Sequence, residues 1–160
     1  MLDKIWRFLK TSPQDSNAPS PPTGVPPTLT DVEKGKGEEE VYREAKVWYY
    51  RGNEQYNLGD FEEAIADYDK ALELKPDYHE AWYWRGNALR NLGRPGDAIA
   101  SFDKALEFKP DYHEAWNNRG YALGSLGRLE DAIASYDKAL EFKPDYHEAW
   151  IGRGMHRPAS

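Results

Sequence analysis

The 160-residue chain contains no cysteine, which removes disulfides, thiol catalysis and thiolate metal sites together without naming a compartment. It also lacks any apolar run near the roughly 18–20 residues that a bilayer-crossing helix requires. No long Lys/Arg cluster occurs and the formal net charge is −7, so nucleic acid is not the expected partner. The opening stretch, residues 1–10, carries Arg7 in its middle and no small-residue cleavage site. It does not read as a signal peptide, and a cytoplasmic location is the default expectation. Phosphate loops, nucleophile elbows and isolated acid pairs are missing as well.

What the chain does have is repetition. Residues 79–112 and 113–146 are the same 34-residue sequence except at 83/117, 84/118, 87/121, 90/124, 91/125, 95/129, 96/130 and 102/136. The first five pairs fall at i, i+1, i+4, i+7 and i+8, a single arc of roughly 120° on a helix turning about 100° per residue. A constant scaffold with one variable stripe suggests a contact face. Drift of tolerated surface residues is the bland alternative, but drift has no reason to concentrate on one arc.

The period orders the chain. Residues 1–10 place Leu2, Ile5, Trp6 and Leu9 at helical spacing, which reads as a short docking helix or, more sharply, as an anchor touching a membrane. Residues 11–37 form a Pro/Ser-rich and then charged linker with six prolines among its first 20 residues, and disorder is expected there. Residues 38–155 make up the repeat domain, with blocks 45–78, 79–112 and 113–146 and a partial block 147–155; residues 156–160 are a tail.

Within a block, helix A runs to a break at Gly59, Gly93 or Gly127, where glycine accepts a left-handed backbone. Helix B then carries Ala98, Ile99, Phe102, Ala105 and Leu106 on one face. Alanines bracketing an aromatic ring let two helices approach closely around it. Pro95 is acceptable at the first position of its helix B. Pro110 halts that helix, and Asp111-x-x-Glu114 reads as a capping box for the next helix A. One block cannot hide its apolar face, whereas stacked blocks can.

The anchors recur block by block. They are Trp48, Gly52, Ala64, Tyr68, Ala71 and Pro76, then Trp82, Gly86, Leu89, Ala98, Phe102, Ala105 and Pro110, then Trp116, Gly120, Leu123, Ala132, Tyr136, Ala139 and Pro144. They match the pattern W-x2-L-G-x2-Y…A-x3-F…P, and the chain resembles the tetratricopeptide repeat (TPR) family of the bacterial multi-repeat type. The resemblance implies an all-α fold: a right-handed α-solenoid of three helix hairpins plus a partial fourth helix, preceded by a disordered Pro-rich tether.

Two departures from the family pattern stand out. Arginine follows three residues after each tryptophan, at Arg51, Arg85, Arg119 and Arg153, where the family has an apolar residue. A half-buried guanidinium needs a carboxylate. Asp69, Asp103 and Asp137 on helix B supply one at constant spacing, so a structural Arg–Asp ladder between helices is expected. The second departure is the C-terminal end, where block four stops before any helix B. The outer face of block three is then only partly covered, and self-association there is one expectation.

The histidines 79, 113 and 147 open successive A helices and invite a metal reading. Equivalent residues of stacked repeats stand about 10 Å apart, whereas zinc ligands each lie about 2.0–2.1 Å from one ion. They are expected to be polar helix starts, with no metal, no cofactor and no catalysis by this chain alone.

The family resemblance further implies a concave groove lined by helix A. Its lining would be Tyr49, Tyr50, Asn53, Tyr56 and Asn57 in block one. Tyr83, Trp84, Asn87, Arg90 and Asn91 follow in block two, then Asn117, Asn118, Tyr121, Gly124 and Ser125 in block three, with Ile151 and Gly152 beyond. Such a surface would take a protein or peptide partner. The carboxylate clamp of the chaperone-binding subfamily maps to Tyr49, Asn53, Trp84, Glu114 and Asn118, and only Asn53 fits it. The expected function is a protein-interaction scaffold. The alternatives are an N-terminal regulatory or targeting fragment of a larger multidomain bacterial protein, and a self-assembling module joined through the open C-terminal end.

Overall fold

The computed structural model describes residues 29–156, with side chains from Gly37 onward. The amphipathic segment 1–10, linker residues 11–28 and tail residues 157–160 lie outside the described residues. Seven α-helices and no strand occur among the described residues: α1 Leu29–Leu58, α2 Phe61–Leu74, α3 His79–Asn91, α4 Pro95–Phe108, α5 His113–Ser125, α6 Leu129–Phe142 and α7 His147–His156. The chain divides into two compact units, 1–40 and 41–160. The described part of the first is the beginning of α1, and the repeats lie in the second.

The sequence places the end of a disordered linker at 37, but α1 already starts at Leu29. A helix nucleated downstream extends by one hydrogen bond per residue, and Glu38–Glu40 favour that extension while Gly35 and Gly37 oppose it.

Helices α3 and α4 form one antiparallel hairpin, α5 and α6 the next; α2 packs on α3, α4 on α5 and α6 on α7. The break between helices of a hairpin has a specific cause. Gly93 adopts φ +69°, its N–H donates to Arg90 O at 3.0 Å, and Arg94 N–H donates to Leu89 O at 2.9 Å. These two bonds close the exposed carbonyls of α3 in a left-handed cap that a Cβ would strain. Gly59 and Gly127 repeat it at φ +86° and +74°.

Helix α4 then begins at Pro95, its first residue. Each B helix ends at a lysine that precedes a proline, which disfavours helical backbone at that lysine. The following turn is fixed by tryptophan: Trp82 and Trp116 Nε1 donate to the carbonyls of Pro76 and Pro110, both at 2.8 Å, and Trp150 to that of Pro144 at 2.9 Å. The expected capping box does not form. The N-cap of α5 is Tyr112, not Asp111, and it makes no side-chain cap bond. Glu114 instead turns to His113 Nδ1 at 3.2 Å, because the helix starts one residue later than the box requires.

The core is a column of small residues around single rings. Ala64, Ala71, Ala98, Phe102, Ala105, Ala132 and Ala139 are fully buried, as are Tyr68 and Tyr136. Gly52, Gly86 and Gly120 each meet the ring of their own hairpin, so closely that an added methyl at Gly86 would stand 2.6 Å from Phe102 Cε1.

Burial acts on the phenols of this column. It pushes Tyr136 and Tyr146 up to about 12, and pushes Tyr68, Tyr78 and Tyr112 well above the ordinary tyrosine value. An acid whose folded pKa exceeds its unfolded value of 10.0 favours folding below that value and loses the benefit as pH rises through the folded one. Alkaline titration is therefore expected to unfold the array above about pH 10. Ionisation of the buried tyrosines should accompany loss of helical circular dichroism. Complete tyrosine ionisation in an intact helical protein would contradict the burial.

Candidate binding surface

Side chains of the variable stripe sort into three layers. Tyr50, Asn57, Asn91, Tyr121 and Ser125 are exposed, Tyr50 at 50% and Tyr121 at 53%. Tyr49, Asn53, Tyr83, Trp84, Arg90, Asn117 and Asn118 are half-buried. Asn87 is 2% exposed and belongs to the interior.

The outer layer is assembled across repeat boundaries. Trp84 of α3 meets Tyr56 of α1 edge-on at 5.1 Å, and Asn91 Nδ2 donates to the same Tyr56 hydroxyl at 2.9 Å. One repeat on, the Arg90 guanidinium lies 5.3 Å from the centroid of the Tyr121 ring on α5. Rings and one cation thus sit side by side with amides between them.

The inner layer is occupied by contacts within the protein. Asn118 Nδ2 donates to Asn87 Oδ1 at 2.8 Å and to the Tyr83 hydroxyl at 3.1 Å, tying α5 to α3. Asn117 Nδ2 donates to Asn118 Oδ1 at 3.2 Å. Tyr83 stacks against Tyr112 at 4.8 Å, and burial raises its pKa while a bond to Asn87 opposes the rise. In block one the position of Asn87 is Asn53, which accepts from the Tyr68 hydroxyl at 2.8 Å. Phe102 has no hydroxyl, so Asn87 is released to bind the next repeat.

The opposite face carries arginines held between helices. Arg85 Nε donates to Asp69 Oδ1 on α2 at 2.6 Å, and its Nη1 to Ser101 Oγ on α4 at 2.8 Å. Arg119 does the same with Asp103 at 2.6 Å and Ser135 at 2.7 Å, and Arg153 reaches Asp137 at 2.6 Å. Each arginine therefore reaches back to the preceding B helix. Arg51 has Gly35 where that aspartate would fall and turns instead to its own hairpin, 3.0 Å from Asp67 Oδ2. Burial raises the Asp67 pKa, and the Arg51 charge opposes the rise. The signal that was missed is the column 67/101/135: aspartate where the residue sixteen before the arginine is glycine, serine where it is aspartate.

Histidines 79 and 113 sit at the first residues of α3 and α5 and meet Tyr112 and Tyr146 edge-on, at 5.7 and 4.9 Å. No helix among the described residues is long and apolar enough to cross a membrane.

Two family models described as tetratricopeptide repeat match residues 49–113 and 113–146, together more than half of the chain. The chain belongs to the tetratricopeptide repeat family. The first TPR of Spaghetti (RPAP3), bound to the HSP90 peptide SRMEEVD, is 27% identical with a TM-score of 0.70, covering 71% of this chain and 90% of that one. The first TPR domain of human RPAP3 is also 27% identical, at TM-score 0.69, covering 72% and 91%. The Arabidopsis OM64 TPR domain is 23% identical at 0.71, covering 73% and 97%. No curated protein matches the chain in sequence.

Proposed function

We propose that the chain is a protein-interaction scaffold whose A helices hold an extended peptide along the exposed stripe, and that it has no catalytic role of its own. The observation that carries this reading is the outer row of Tyr50, Trp84, Arg90 and Tyr121 with Asn57, Asn91 and Ser125 between them. It differs between blocks two and three, whose remaining sequence is nearly constant. Rings give contact area at low entropic cost, a guanidinium adds charge, and the remaining donor and acceptor capacity of the amides matches a peptide backbone. That the similar Spaghetti domain binds an HSP90 peptide supports the class of ligand.

The chemistry differs from a site for acidic chain ends. Of the half-buried amides at the clamp positions, Asn53 already accepts from Tyr68 and Asn118 already donates to Tyr83 and Asn87. Glu114 carries the wrong charge. An uncharged or mildly acidic segment rich in aromatic groups suits the row better, with Arg90 its cation.

Peptide display on the whole chain tests the proposal. Selected peptides are expected to bind the wild type at least about tenfold more tightly than a variant with Tyr50→Ala, Arg90→Ala and Tyr121→Ala, since such anchors carry most of an interface. Those three side chains are not in the core, so the helical signal should persist. Equal binding by both proteins removes the stripe as the site.

A further inference from the structure

Arginine is a paired residue throughout the array, with one exception. Seven arginines lie between positions 51 and 153. Six of them reach an aspartate, Arg51 at 3.0 Å and Arg85, Arg94, Arg119, Arg128 and Arg153 at 2.6 Å. Arg94 and Arg128 pair although more than half of each side chain is exposed. Arg90 is half-buried, yet among the described residues its guanidinium meets no carboxylate and no hydrogen-bond acceptor. A guanidinium withdrawn from water without an acid is costly, so pairing would matter more here than at Arg94 or Arg128.

The side chain is nonetheless aimed. Its charge lies 5.3 Å from the centroid of the Tyr121 ring on α5. A ring attracts the cation through its face and leaves the five N–H groups unspent. Both partners are particular to their blocks. Arg90 corresponds to Tyr56 and Gly124 in the other blocks, and Tyr121 to Asn53 and Asn87. The six paired arginines recur one repeat away, as scaffold parts do, whereas Arg90 belongs to the variable stripe. Elsewhere the stripe is bordered by acid. Burial raises the pKa of Tyr49 and Tyr83, and the charges of Glu80 and Glu114 raise it further. Those glutamates stand in the first turns of α3 and α5, and Arg90 in the last turn of α3. Ten residues of helix, about 15 Å, separate Glu80 from Arg90.

We propose that Arg90, held by Tyr121, takes the side-chain carboxylate of a single Asp or Glu inside the peptide that lies along the stripe. The proposal rests on the peptide-scaffold reading and gives that ligand one required group. The planar fork of a guanidinium matches a carboxylate through two parallel N–H···O bonds. Rows on α1 and α5 flank α3, so a peptide spanning them meets Arg90 with an interior residue rather than with its end. One acid satisfies the site. Further acids would stand before Glu80 or Glu114 and be repelled, which excludes an acid-rich segment as the preferred ligand.

The probe is a library of octapeptides acetylated and amidated at their ends, so that every carboxylate is a side chain. Binders selected on the whole chain should share one Asp or Glu. Replacing that acid by its amide should weaken binding to the wild type at least about tenfold, the scale of a charge-assisted bond. The same replacement should change binding to Arg90→Gln by less than about twofold. Arg90→Gln breaks no ion pair among the described residues, so helical signal and melting should hold. A second Glu added to a binder should weaken it. Three results overturn the proposal: binders that share no acid, an acid that matters equally to Arg90→Gln, and tighter binding by the peptide with the second Glu. The scaffold reading survives each of these if the binders still need Tyr50 and Tyr121. A library that yields no binder removes both.

Discussion

Phe102→Ala is expected to destabilise the array by about 3–5 kcal/mol, the range for deleting a fully buried aromatic ring. Phe102 is 0% exposed and sits in one buried cluster with Leu89, Ala98, Ile99 and Leu123, beside the Tyr83 ring and against the backbone of Gly86. Close-packed neighbours relax only partly into the volume of a ring, so a cavity persists and the cost falls in this range. The site also lies in the middle repeat. Stability of a solenoid is close to a sum of repeat and nearest-neighbour terms. Weakening the centre removes support from blocks one and three together, so urea unfolding followed by fluorescence and by circular dichroism should cease to coincide. Phe102→Tyr is the control, because Tyr68 and Tyr136 fill the equivalent sites. Its hydroxyl would approach Asn87 Oδ1, already bound by Asn118, and an amide oxygen has two lone pairs. A loss under about 1 kcal/mol for Phe102→Ala would mean that the column packs loosely.

The same column shows how far the sequence could be read. Period, glycine breaks, proline at Pro95 and the buried alanine–ring–alanine face are local consequences of residue type, so they are visible one helix at a time. Depth within the variable stripe is not. Asn87 and Tyr121 occupy equivalent positions, yet Asn87 is 2% exposed and Tyr121 53%. A helical wheel assigns both to one arc and has no knowledge of the helix that follows. Asn118 of the next repeat lies against Asn87 and donates to its Oδ1. The pairing of Arg51 with Asp67 was hidden for a related reason. It goes with glycine at position 35, where the later blocks have Asp69 and Asp103, a property of the neighbourhood rather than of the motif. The capping box failed at a single residue of helix start, below the resolution of sequence pattern.

Gly86→Ala and Gly154→Ala are expected to act with opposite signs, although both residues fill the same position of helix A. Alanine in a helix interior is worth about 1 kcal/mol over glycine when nothing else changes. At Gly154 nothing among the described residues lies within 4 Å of the new methyl, so that gain should appear undiminished up to the fraying of the helix end. At Gly86 the methyl would stand 2.6, 2.9 and 3.0 Å from three atoms of the Phe102 ring, which is itself fully buried and has nowhere to retreat. Overpacking of this kind costs about 1–3 kcal/mol and offsets or outweighs the propensity gain, leaving a net loss of up to about 2 kcal/mol. Combining Gly86→Ala with Phe102→Ala should reverse the sign again. The methyl then enters the space the ring has left, so the double variant is more stable than Phe102→Ala alone, and the coupling between two touching residues becomes measurable. Denaturation of the four proteins separates backbone propensity from contact without assuming either. If Gly86→Ala stabilises the wild type as much as Gly154→Ala does, the ring is not held against the helix, and the close packing at Gly52, Gly86 and Gly120 loses its physical basis.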